Sequence, residues 1–260
     1  MNSMPLISRN DMNDMNRSTL LSKITEYTSI HISEFHENRI KKLNTLKLDT
    51  LLKQKNPYLY KAKDLSTPEQ VVRSIAMAFL SSAEETMFGD WLEGLAIYIA
   101  QEVYGGRKSN AEGIDLEIDR EGVHYIVSIK SGPNWSNSSS MAKLKQNFQK
   151  AQRIYHTGHN RIPCEAIEGC CYGNKKSGPN DTHTRLCGQQ FWEFISGLPS
   201  MFTDIIEPIG INAHEKNERY NKDFNRMITK FTREFSNTYC DQEGNIDWNK
   251  IVLLGSGAKK

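Results

Sequence analysis

Ile114-Asp115-Leu116-Glu117-Ile118-Asp119, followed one short turn later by Val123-His124-Tyr125-Ile126-Val127-Ser128-Ile129-Lys130, decides how this chain is read. The first six residues alternate apolar with acidic side chains, the period-two pattern of a half-buried strand. Asp119-Arg120-Glu121-Gly122 has the composition of a turn, and two strands joined so tightly form an antiparallel hairpin. Pairing Ile118 with Val123 sets Leu116 against Tyr125 and Ile114 against Val127, so the apolar sets share one side. A slip by one residue would mix the faces. Asp115 then shares a face with Ser128 and Lys130. In this tightest register Asp115 lies about 13 Å along the strands from Lys130. A shift by two residues keeps the faces, sets Asp115 opposite Ser128 and shortens the offset to about 7 Å. The pattern permits both registers; one phosphate can be served by both side chains only in the shifted one, or with a bulge of the same effect.

Around the hairpin the chain reads mostly as helix. Residues 18–55 place Leu21, Ile24, Tyr27, Ile32, Phe35, Leu43, Leu46, Leu51 and Leu52 at near-helical spacing, and Asn56-Pro57 ends the segment. Thr67-Pro68 opens another helix, predicted to end near Ser81-Ser82, with a further one from Ala83 to Val103 stopped by Gly105-Gly106. After the turn Ser131-Gly132-Pro133-Asn134, a helix capped by one of Ser138, Ser139 or Ser140 runs to about Tyr155. Ala166 to Tyr172 reads as a buried strand, Gly173 to Arg185 as a polar loop, Gln190 to Ser196 as a short helix and Asn212 to Tyr239 as a long charged one. A short element around Trp248 follows. This order predicts an α/β fold, a mixed sheet carrying the antiparallel hairpin and flanked by helices. The expected division is a helical N-terminal extension over 1–55 and one domain over 56–260.

The composition, 38% hydrophobic and 25% charged in 260 residues, is that of a globular protein. No apolar run reaches the ~20 residues of a membrane span. The start of the chain lacks the basic-then-apolar order of a signal peptide, so a cytoplasmic protein is expected. Cys164, Cys170, Cys171, Cys187 and Cys240 are odd in number and suit a reducing compartment. With no C-x-x-C or H-x-x-x-H spacing, they read as small residues in or beside strands rather than as zinc ligands. The net charge is only +2, yet Ser139 to Gln190 holds eight Lys or Arg against three acids. A local basic surface on a near-neutral protein suits phosphate binding; a solvated charged face gives the same count.

An acid on one strand and a lysine at the end of the next are the parts of a phosphodiester hydrolase. That reaction needs a divalent cation to polarise phosphate and activate water. A hard ion such as Mg²⁺ takes carboxylate oxygens and keeps several waters. Asp115 supplies one ligand, and Lys130 can orient the water and offset charge in the transition state. Spacing alone also fits an ordinary exposed hairpin.

Glu112-Gly113-Ile114-Asp115 with Val127-Ser128-Ile129-Lys130-Ser131-Gly132 resembles the divided active-site motif of the PD-(D/E)XK nuclease superfamily. The chain is similar in particular to type II restriction endonucleases that cut sites with a GGNCC core. The likeness extends over Asn56-Pro57-Tyr58, Phe88-Gly89 to Glu93, Trp135, Tyr172-Gly173-Asn174, Gly188 to Trp192 and Gly244 to Trp248, in the same order. It implies a restriction-endonuclease-like fold and Mg²⁺-dependent double-strand cutting of DNA. A cognate DNA methyltransferase is then the functional partner. The carbonyl of Ile129 is a further metal ligand by the same resemblance.

The match departs from the pattern at Ile114, where Pro is expected, and at Ser128, where the second carboxylate is expected. A hydroxyl is a poor Mg²⁺ ligand, so an acid from elsewhere is required or only one metal is firmly held. Glu93 is the first candidate, as the only charged residue in Trp91 to Ala100. A carboxylate in so apolar a helix must be solvated at an edge, paired or metal-bound. Glu85, Asp90, Glu112 and Glu117 rank below it.

For DNA, the helix after the turn offers its N-terminal amides, Asn134, Trp135, Asn137, Ser138, Ser139, Ser140 and Lys143 to phosphate. The loop containing Asn174, Lys175, Lys176 and Arg185 is rich in base-edge hydrogen bonders and is the candidate for groove readout. A palindromic duplex predicts a homodimer. A nuclease without sequence specificity and a silent DNA-binding module, with Ser128 marking decay, are the competing functions.

Overall fold

A computed structural model describes residues 9–158, 162–175, 178–179 and 182–256. The chain opens with the helices α1 (Arg9–Asn44), α2 (Leu48–Gln54), α3 (Pro57–Ala62) and α4 (Pro68–Tyr104). The strands β1 (Arg107–Lys108), β2 (Leu116–Arg120) and β3 (Val123–Lys130) lead into α5 (Ser138–Thr157). Next come β4 (Cys164–Cys170), β5 (Gly178–Pro179) and β6 (Thr184–Cys187). The helices α6 (Gln189–Ser196), α7 (Met201–Asp204), α8 (Ile206–Gly210), α9 (Ala213–Tyr239) and α10 (Trp248–Ser256) complete the order. Two compact units result: one takes the chain up to Ile32 together with Phe88–Ile211, the other Ser33–Met87 and the chain from Asn212 on. No described helix is long and apolar enough to cross a membrane.

The first unit is built on a six-stranded sheet of order β1-β2-β3-β4-β6-β5. β1, β2 and β3 pair antiparallel, β4 joins β3 and β6 in parallel, and β5 closes the far edge antiparallel. The mixed α/β architecture expected from the sequence is present. Both faces are covered. Leu144, Phe148 and Ala151 of α5 pack with Ile126 and Ala166 on one side. On the other, Leu95 and Ile99 of α4 and Phe191, Trp192 and Ile195 of α6 pack with Leu116, Val127, Ile129 and Ile167. A strand buried on both faces explains why β3 reads as a nearly continuous apolar run.

The hairpin adopts the shifted register. Leu116 pairs with Val127 and Arg120 with Val123. The loop is only Glu121-Gly122, with φ of +54° and +77°, the left-handed pair a two-residue hairpin loop needs. One face expectation fails. Ile114 packs with the α5-side cluster, not with Leu116. Gly113 holds φ +73° and the Ile114 N–H returns to the Ala111 carbonyl at 3.1 Å, so alternation begins only after the turn.

Several element boundaries also differ from expectation: the helix read over 18–55 breaks into α1 and α2, and β4 runs Cys164–Cys170 rather than Ala166–Tyr172. α4 continues through Ser81-Ser82, where the Ser82 hydroxyl bonds back to the Ala78 carbonyl at 3.1 Å. Serine is merely a weak helix former, and without Gly or Pro nothing there breaks the ladder. β6 starts inside the predicted polar loop, because its four residues gain their strand from pairing with β4 rather than from local pattern. The cap of α5 is Asn137, whose side chain accepts the Ser140 N–H, not a serine.

The second unit is a helical cluster with its own core. Leu48, Leu51 and Leu52 of α2, Val71, Val72 and Ile75 of α4, and Met227, Ile228, Phe231 and Phe235 of α9 are buried together with Ile251 of α10. The predicted start of α4 is confirmed by reciprocal capping: Gln70 N–H donates to the Thr67 hydroxyl, and the Gln70 side chain accepts the Thr67 N–H.

Candidate active site

The end of β3 brings together what the hairpin register promised. The Asp115 carboxylate accepts the Ile129 N–H at 2.6 Å and the Ser128 hydroxyl at 3.3 Å through the same oxygen. Its own N–H donates to the Val127 carbonyl at 2.8 Å. The aspartate is thus locked across β3 just before β2 begins. Lys130 Nζ lies 3.6 Å from Asp115 Oδ2 and donates to the Ile129 carbonyl at 2.8 Å. Ser128 is fully buried, and its hydroxyl serves Asp115.

Glu93 reaches this group from α4. A Cβ on Gly89, one turn earlier, would stand 3.4 Å from the Ser131 Cβ, so this face of α4 runs against the end of β3. Glu93, four residues on, shares that face. Its carboxyl is raised above the usual range by burial first and by the Asp115 charge second, with Lys108 and Lys130 opposing. Lys108 Nζ stands 3.9 Å from it. Beneath it the Cys171 thiol is pushed up to about 12, chiefly by burial and then by Glu93. Two carboxylates and one carbonyl, all hard oxygen donors, suit a small divalent cation. Among the described residues no cluster of three or more His, Cys, Asp or Glu is arranged to hold a metal. The oxygens that could hold such an ion here are those of Asp115, Glu93 and the Ile129 carbonyl. Of the lesser acids, Glu112 pairs with Lys143 and Lys150 and Glu117 with Arg107, while Asp90 is close enough to Glu93 to add to the charge that raises it.

A cleft of about 440 Å³ opens beside Lys130, lined by Gly113, Ser128, Trp135, Ser139, Ser140, Lys143 and Asn147. Four of the residues proposed for DNA therefore border Lys130. Asn137 is occupied in capping, accepting from Ser139 and Ser140. Ser138, Asn134 and Asn174 are exposed. Lys143 pairs with Glu112 at 2.7 Å, and Lys175 donates to the Pro133 carbonyl at 3.1 Å. Lys176 lies outside the described residues.

Trp135 and Arg185 are held in a way the sequence reading did not foresee. Both donate to Glu168, at 2.7 Å each, and His183 contacts it at 3.0 Å. Glu168 is completely buried at the centre of β4. Burial alone would raise its carboxyl; the hydrogen bonds from His183, Arg185 and Trp135 outweigh that and hold it at about 2. The signal was present: Glu168 is the lone charge in the buried stretch Ala166 to Tyr172, the same argument that singled out Glu93.

The family model described as Type II restriction endonuclease EcoO109I matches residues 22–217. That span takes in Glu93, the whole Asp115–Lys130 hairpin, α5 and the strands beyond it. No curated protein matches the sequence closely. With most of its length under that match, the chain belongs to the type II restriction endonuclease EcoO109I family.

Proposed function

We propose that this protein makes sequence-specific double-strand cuts in DNA by Mg²⁺-dependent phosphodiester hydrolysis, and that its site is of the PD-(D/E)XK type. The observation that carries the reading is Lys130, whose ammonium stands between the Ile129 carbonyl and the Asp115 carboxylate, with Glu93 close enough to feel both charges. Asp115, Glu93 and the Ile129 carbonyl would hold the ion. The chemistry that Mg²⁺ supplies when bound is polarisation of the phosphate and acidification of water. Asp115 is held ready by the Ile129 N–H and the Ser128 hydroxyl, so it needs no reorganisation. Lys130 releases the Ile129 carbonyl, orients the attacking water and offsets the negative charge that grows on the phosphate oxygens. Ser128 replaces the usual second acid by orienting Asp115, and Glu93 supplies the missing charge.

The resemblance supports a recognition site with a GGNCC core, and a cognate methyltransferase would then protect the host's own sites. One Asp115–Lys130 site cuts one strand, so a palindromic target favours a homodimer. The cytoplasm is the compartment in which such a pair would act. Incubation of plasmid DNA with Mg²⁺ tests the reading. Discrete fragments carry it; a smear identifies a non-specific nuclease, and no cutting identifies a silent binding module. Sedimentation as a monomer, both free and on cognate DNA, would rule out the dimer.

A further inference from the structure

A fully buried, ionised glutamate in the middle of a sheet is an expensive way to fill space. An apolar residue of similar volume is commonly as stable or more so. Glu168 is such a residue, and its surroundings suggest a use. In the parallel registers Ser128 pairs with Glu168 and Glu168 with Arg185, a polar row across β3, β4 and β6. The next row begins at Lys130. Glu168 therefore sits on the face of the sheet that carries the lysine, one row behind it.

Its third donor comes from the loop that follows β3. The Trp135 indole N–H points at Glu168, and the ring lies 5.3 Å from the Lys130 ammonium. The indole is fixed at its polar end and offers its π face to the cation. Donation to a carboxylate enriches that face in electron density and strengthens the attraction. On the other side of Glu168 the Thr182 hydroxyl contacts His183 Nδ1 at 3.0 Å while His183 Nε2 meets the carboxylate. Arg185 completes the set. Thr182 and His183 lead into β6, and Arg185 is its second residue.

We infer that Glu168 and Trp135 are positioning residues, a relay that sets the Lys130 ammonium from the Thr182–Arg185 segment. The relay rests on the reading of Lys130 as the catalytic lysine. Movement of that segment on DNA would shift Glu168's donors, and through Trp135 the resting place of the ammonium. Arg185, by this account, serves the site from within the sheet.

Trp135→Phe removes the N–H to Glu168 together with the pyrrole half of the indole while leaving an aromatic ring for Lys130, so it breaks the link without removing the cation's aromatic partner outright. Its single-turnover cleavage rate at saturating DNA should fall about ten- to a hundredfold, the range a small misplacement produces, while the DNA concentration for half-saturation stays unchanged. Glu168→Gln should slow the same step, and the double variant should be no slower than the slower single one. Should Glu168→Gln fail to fold, Trp135→Phe alone decides. Wild-type rate in Trp135→Phe overturns the relay. So does a loss confined to DNA affinity, which would make Trp135 a DNA contact. Lys130→Ala, run alongside, separates the two readings. If it still cuts, the assignment of Lys130 has failed; if it is silent and Trp135→Phe cuts normally, only the relay has.

Discussion

The carboxylate of Asp115 accepts the backbone N–H of Ile129 at 2.6 Å, one residue short of the lysine it serves. A main-chain donor cannot rotate away, so the acid is aimed by the fold itself. Asp115→Asn keeps an oxygen for that N–H and removes the charge. It should fold and bind DNA as the parent does, with cleavage reduced about 10³-fold or more, the scale of a lost metal ligand. Fragment yield on plasmid DNA, beside a binding titration, checks it; substantial cutting would remove Asp115 from the site.

Glu93 makes a sharper case, because two roles predict opposite results for Glu93→Gln. As a ligand, it is needed for turnover: cleavage should drop strongly, melting should change little, and raised Mg²⁺ or Mn²⁺ should restore part of the rate. The amide also relieves the burial and the Asp115 repulsion that raise this carboxyl, so stability should if anything improve. As half of a structural ion pair with Lys108, it would instead melt early and cut normally per folded molecule. The 3.9 Å separation and the 74% exposed lysine side chain argue for the first outcome.

Much of this site was legible because the hairpin announces itself over short range. Alternation, a Glu-Gly turn and a terminal lysine fixed the faces, and the choice between registers needed only the loop geometry at Glu121-Gly122, which composition does not specify. Glu93 was singled out by a local anomaly, one charge in an apolar helix. Glu168 carried the same anomaly, but its partners Trp135, His183 and Arg185 come from two other segments, and their meeting is a product of β3–β4–β6 pairing. β6 itself was hidden for the same reason. Four residues of mixed burial have no period to read, and only their partner strand makes them a strand. Ile114 was misplaced because alternation was extended one residue pair into the Gly113 turn.

Gly169, between Glu168 and Cys170, reports on the opposite face of β4. A Cβ there would lie 2.3 Å from the Phe191 ring, which is itself completely buried. Gly169→Ala should destabilise the protein by about 1–3 kcal/mol through overpacking. Denaturant titration measures this directly. Phe191→Leu in the same chain should recover part of the loss by clearing space; two independent losses would show that the clash is not the cause.

Acid sensitivity provides the last test, and its sign follows from Glu168. The folded carboxyl is depressed from the ordinary 4.5 to about 2. A group depressed on folding stabilises the folded state above its unfolded value and loses that contribution as the pH falls through the folded one. Glu168 should therefore contribute in full near neutrality and progressively less between about pH 4.5 and about pH 2. Glu93 has the opposite sign: its carboxyl is raised, so protonation relieves it and cannot account for an acid loss. Glu168→Gln leaves Arg185 and His183 without their buried anion, a defect of about 3 kcal/mol at neutral pH when one partner of a buried pair is removed. The gap in melting temperature between parent and Glu168→Gln should narrow steadily as the medium is acidified below about pH 4.5, while Glu93→Gln leaves the parent's acid slope in place. A gap that stays constant down to the limit of folding would mean that Glu168 is not ionised in the folded protein. The charge-assisted bonds that define its environment would then have to be read as neutral ones.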